Sequence, residues 1–144
     1  MTPAAALTAV IGRMNAAGFT ECVSPLGLRD GGTQRLDGGF AVRVSSYRFE
    51  PSRGASRVDG ARMDMGIVIE LGHLLKPGAG QEAPAAALAA VHLALRYLFT
   101  PDTALTANGQ GSVLLGGITL NYDGGYLVHA IDLRVIFSLS LVAP

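Results

Sequence analysis

Tryptophan is absent from this chain of 144 residues, lysine occurs once, at Lys76, and cysteine once, at Cys22. A lone cysteine cannot close an internal disulfide, so a disulfide scaffold built for an oxidising compartment has no support, and Cys22 reads as a small core residue. Charge is scarce as well. Only 15% of residues are charged against 49% hydrophobic, and 11 basic residues cancel 11 acidic ones. A neutral chain lacks the global field that draws proteins to nucleic acids or anionic membranes. Long hydrophobic runs are also missing. The longest apolar stretch, residues 83–99, is broken by His92 and Arg96 and falls short of the ~20 residues a bilayer span needs. The first residues carry no basic leader, and their pattern is helical. The expectation is therefore an intracellular protein with no membrane partner.

The apparatus of catalysis is missing too. The three histidines, His73, His92 and His129, fall in three different segments, and none has a second His or Cys at a zinc-ligand spacing. No Gly-x-Ser-x-Gly elbow occurs, and Cys22 has no histidine near it in sequence. The 19 glycines form neither a phosphate loop nor a dinucleotide fingerprint. Three Asp-Gly-Gly triplets, at 30–32, 37–39 and 123–125, lack the alternating oxygen ligands of a calcium loop and read as turns. Asp64, Glu70 and Asp132 are scattered along strands and make no legible acid–base pair. The chain reads as no enzyme, with no metal and no cofactor.

What is present is clear periodicity. Thr2 followed by Pro3 is a helix start, and Leu7, Val10, Ile11 and Met14 keep helical spacing before Gly18 stops the turn. Residues 19–23 make a short strand candidate ending before Pro25, and a polar, turn-rich loop follows. In residues 40–49, Phe40, Val42 and Val44 form one row, with Arg43, Ser45 and Tyr47 mainly on the other face. Met63, Met65, Ile67, Ile69 and Leu71 alternate with smaller or polar residues, which predicts a second strand antiparallel to the first. Between them, residues 50–62 have no hydrophobic period and read as an exposed hairpin connection, far longer than the usual two to five residues. Residues 83–99 form an alanine-rich helix with Leu88, Val91, Leu95 and Leu98 along one side. Residues 112–122 and 126–142 form a closing strand pair around the Asp123-Gly124-Gly125 turn. The whole of residues 1–144 reads as a single α+β domain, an antiparallel or mixed sheet with two helices packed on one face.

Five of the arginines, Arg43, Arg48, Arg53, Arg57 and Arg62, fall in one stretch whose acidic company is Glu50 and Asp59. One reading is a solvated loop that uses arginine for lysine. The other is an arm reaching a partner, since a planar guanidinium makes paired hydrogen bonds and stacks where lysine cannot. Arg48, Arg53, Arg57 and Arg62 are the candidate interface residues on that second reading.

The order of elements resembles the tail terminator proteins of long-tailed bacteriophages and phage-like particles. The carriers are the Leu7-Val10-Ile11-Met14 helix, the strands at 40–49 and 63–71, the helix from Leu88 to Leu98, and the closing run Asp132-Leu133-Arg134-Val135-Ile136-Phe137. The resemblance is architectural, spans nearly the whole chain and carries over no single functional residue. It implies a six-fold homo-oligomeric ring at the head-proximal end of the virion tail, made in the host cytoplasm. Such a ring caps the tail tube, stops its polymerisation and meets a neck or head completion protein. DNA passes through it without sequence-specific binding. The residue pattern also leaves open another neck or head–tail completion protein, and a small-molecule-binding α+β domain. The low charge suits a ring, which needs two complementary surfaces and no active site.

Overall fold

The computed structural model describes residues 2–22, 37–51, 60–75, 82–100, 111–123 and 125–140. Thr2 caps the first helix, α1 (Pro3–Ala16): its Oγ1 accepts the Ala5 N–H at 3.1 Å, and Pro3 occupies the first turn, where no amide donor is needed. Gly18, with a φ of 94°, takes the left-handed position that ends the helix. A two-residue strand, β1 (Thr20–Glu21), follows at once.

Four long strands make the body of the sheet: β2 (Gly39–Pro51), β3 (Gly60–Leu74), β4 (Gly111–Asp123) and β5 (Tyr126–Ser140). The second helix, α2 (Glu82–Leu98), lies between β3 and β4 in sequence. Sheet order is β1-β2-β3-β5-β4. The β1–β2 pair is parallel and the other three are antiparallel, so the sheet is mixed, as expected for the α+β class.

The strict alternation on β3 explains the core. Met63, Met65, Ile67, Ile69 and Leu71 all face the helices, and their partners on β5 include Phe137, Val135, Leu133 and Ile131. Ala6, Val10 and Met14 of α1 and Val91, Ala94 and Leu98 of α2 close over them. Each large side chain fully withdrawn from water there contributes about 1.5–3 kcal/mol.

Three expectations shift. The strands run further into the hairpin than residues 40–49 and 63–71: Glu50 pairs with Arg62, and Pro51 with Ala61. Glu50 and Arg62 are thus strand residues, and residues 52–59, including Arg53, Arg57 and Asp59, lie outside the described residues, as does the whole loop at 23–36. Tyr47 sits with Val44 and Phe49 on the helix side, not with Arg43, because an extra residue, Ser45, is inserted between Val44 and Ser46. Such a bulge flips the alternation beyond it. Lastly, the inward stripe of α2 differs at its start: Val91 and Leu98 are buried and Leu95 packs against the core as expected, but Ala87 and Ala94 are the other buried positions and Leu88 is 63% exposed. Two alanines let the helix approach the core closely, and the longer leucine faces out.

Candidate assembly surfaces

The helix-free face of the sheet has two halves. Toward Tyr126 it is covered: Ala41, Val68, Glu70, Tyr126 and Val128 are buried, and Cys22 joins a small cluster with Ala41, Tyr126 and Val128. Glu70 is held there by Arg43, whose Nε donates to its Oε1 at 3.4 Å. Toward the β2–β3 hairpin the same face is open and charged. Here Ser46, Tyr47, Arg48, Asp64, Gly66 and Arg134 line a concavity of about 460 Å³. Its floor is Gly66, where a Cβ would fall 2.6 Å from the Ser45 Oγ and 2.7 Å from the Ser46 Oγ. The bulge that reverses Tyr47 also brings both serine hydroxyls over this glycine.

Arg134 of β5 crosses to Asp64 of β3 with both nitrogen arms, Nε donating to Oδ1 at 3.2 Å and Nη2 to Oδ2. That hydrogen bonding holds the Asp64 carboxyl below its ordinary value; the charges of Arg134, Arg48 and Arg62 act the same way, and partial burial opposes them. The paired carboxylate in turn raises the Arg134 guanidinium. Of the four arginines singled out in the sequence, the fold brings Arg48 and Arg62 to this face beside Asp64, and Arg53 and Arg57 lie outside the described residues. Arg134 and Asp64 were missed, since they stand 70 positions apart and only the β3–β5 register brings them together.

The sheet edges are the second feature. β4 is a 13-residue edge strand exposed on both faces. Residues 111–122 contain neither a charged residue nor a proline, and Leu115, Ile118 and Leu120 stand out from its helix-facing side, Leu120 being 47% exposed. Natural proteins defend a free edge with charge, proline or a bulge. Here the one such device is the bulge between Leu115 and Gly117. At the opposite edge, β1 pairs with only Gly39 and Phe40 of β2. Beyond it Val44, Tyr47 and Phe49 are exposed, and the two rings meet edge to face at 6.0 Å.

The helical layer is also poor in charge. The one charged residue of α1, Arg13, is buried, donating from Nη1 to the carbonyl oxygens of Leu98 at 2.7 Å and Tyr97 at 3.2 Å. Desolvation lowers its guanidinium from the ordinary arginine value. The outward side of α2 and its C-terminal end expose Leu88, Leu93, Tyr97 and Phe99.

Two of the histidines, far apart in sequence, come together. Leu71 pairs with His129 and His73 with Leu127, so the two imidazoles are diagonal neighbours on β3 and β5. His73 Nδ1 lies 3.5 Å from Asp37 Oδ1, which also accepts the Leu74 N–H at 3.1 Å. His129 is buried, and its Nδ1 has no hydrogen-bond partner among the described residues. Burial, and then the charge of His73, hold it below the ordinary histidine value. His92 stands on the exposed side of α2. Among the described residues no group of three His, Cys, Asp or Glu could hold a metal ion, and no helix is long and apolar enough to cross a membrane.

The chain matches no protein-family profile, and comparison with curated proteins finds no significant match.

Proposed function

We propose that this chain is a structural subunit that closes with its own copies into a ring and serves as a tail terminator of a phage or phage-like particle. On this reading the ring is a hexamer that caps the tail tube, stops its growth and offers its other side to a neck or head completion protein. The observation that carries the assembly reading is β4, a full-length edge strand with apolar side chains in water and no charge or proline among residues 111–122 to discourage pairing. The order α, short β, two strands, α, two strands supports the terminator assignment within that class. Arg48, Arg62 and Arg134, around the open concavity, are suited to ion pairs with the tube or neck subunit, and Arg53 and Arg57 belong to the same proposed contact.

At the concavity over Gly66 a small-molecule site fits less well. Binding pockets for such ligands are mostly apolar with a few polar anchors, whereas the concavity at Gly66 is walled by Arg48, Asp64 and Arg134. Another neck or head–tail completion protein would share the ring and differ in its partner. The discriminating experiment polymerises the tail tube protein of the same particle with and without this chain. Tubes that stop short, with labelled protein at one end only, are expected. Label along the tube walls, or unchanged tube growth, would refute the terminator role.

A further inference from the structure

We infer that the contact between neighbouring copies is a strand pairing, in which β4 of one copy adds to the outer edge of β2 of the next, which beyond Phe40 pairs with no other described residue, and continues one antiparallel sheet around the ring. The inference rests on the ring reading above and specifies which surfaces make it.

The first support is strand direction. β2 is antiparallel to β3, β3 to β5 and β5 to β4, so the two edges of one copy run in opposite directions. When copies follow one another by rotation, the incoming β2 therefore meets β4 antiparallel, the better-bonded arrangement. Facing is the second support. Most exposed apolar side chains of the two edges, Val44, Tyr47 and Phe49 on β2 and Leu115, Ile118, Leu120 and Tyr122 on β4, stand on the helix side of the sheet, whereas Leu114 faces the other way. Joined, they form one apolar surface in place of two wet ones.

The third support is the helical cover. Within a copy, α1 packs over β1 and β2 and α2 over β3, while the helix side of β4 stays exposed. A neighbour docked through its β2 brings its own α1 toward that bare strip. The outward residues of α1, Ala4, Ala5, Thr8, Gly12 and Asn15, are small and uncharged, so they can lie against leucine and isoleucine without stranding a charge. Lastly, the two bulges flank the same cross-sheet row, Val44–Ile67–Leu133–Leu115. Both edges therefore bend at one level.

Size explains why closure matters. Ten paired residues span ~33 Å, and a strip of that length about one layer, ~10 Å, deep covers roughly 330 Å², well under the ~800 Å² per partner of a stable complex. A dimer joined by one edge is short-lived. A closed ring engages both edges of every copy and adds the helical cover.

The test is hydrogen exchange on the full chain below and above the concentration at which rings form. Protection is expected to rise together in residues 41–51 and 111–123. A ring that forms without protection of these segments overturns the pairing and leaves the ring reading standing. Protection of 111–123 alone also overturns it, since that is the mark of β4 meeting β4. Absence of any ring overturns both. Blocked variants give a second, independent readout. Leu115→Lys with Leu120→Lys disables β4, and Tyr47→Lys with Phe49→Lys disables β2; all four side chains are exposed, so folding is retained. Each double variant alone should form no ring at concentrations where the unaltered chain does, and chemical cross-linking of their equimolar mixture should trap a transient dimer and nothing larger. A cross-linked dimer of the β2-blocked variant by itself, or a mixture that yields no cross-linked dimer, contradicts the inference.

Discussion

Arg13 shows how one charge can be spent on the fold itself. It leaves the surface of α1 to bond the last carbonyls of α2, where a cation also meets the negative end of the helix dipole. Arg13→Met should cost about 2–3 kcal/mol, because the charged hydrogen bonds are lost and the carbonyls they served stay partly buried. A lower urea midpoint at unchanged slope would show it. His129 gives a second residue-scale prediction. Its folded-state value lies below the unfolded one, so the unfolded chain takes up this proton more readily. Its contribution is fully present above the unfolded value, ~6.5, and is lost as pH falls through that value toward the folded one. The thermal midpoint should decline as pH falls below about 6.5, and His129→Leu should flatten that decline. Asp64, also lowered, acts in a separate window: its contribution is present above the ordinary carboxylate value and fades as pH falls below it.

At the scale of elements, long alternating runs were legible because a period of two over nine residues fits a strand with one buried face and does not fit a helix. Met63 to Leu71 faces one side of the sheet as the alternation requires, and the Thr2-Pro3 start of α1 behaves as a cap. Places where one residue changes the phase were not legible. Ser45 looks like an ordinary strand residue, yet its insertion puts Tyr47 with Phe49 on the helix side and creates the concavity over Gly66. The phase of α2 misled for another reason: alanine carries little hydrophobic signal, so Leu88 outweighed Ala87 and Ala94 in the pattern. Substitution reads that phase directly. Ala87→Leu should destabilise by about 1–3 kcal/mol through overpacking. Leu88→Lys should leave the stability of the isolated subunit within ~0.5 kcal/mol. Thermal unfolding of the two variants checks both, and the reverse order would return Leu88 to the core. The charged surface was half legible. The run from Arg43 to Arg62 marked Arg48 and Arg62, but nothing local in sequence ties Arg134 to Asp64.

Across the whole molecule the distribution of charge is more informative than its zero sum. Ionic side chains gather on the open half of the helix-free face, around Asp64, Arg48, Arg62 and Arg134. The β4 edge carries none across residues 111–122, and the helical layer exposes large apolar groups. Soluble monomers rarely leave such surfaces together and undefended. On the assembly reading, the apolar helix side of the two sheet edges meets other copies, and the charged face meets a different partner. The most direct measurement is the solution mass of the purified full-length protein by light scattering over a concentration series. Ring closure requires monomer at low concentration to give way to one closed species of fixed copy number, with little dimer between them. A monomer mass at every concentration, or growth into open aggregates of no fixed size, would contradict it.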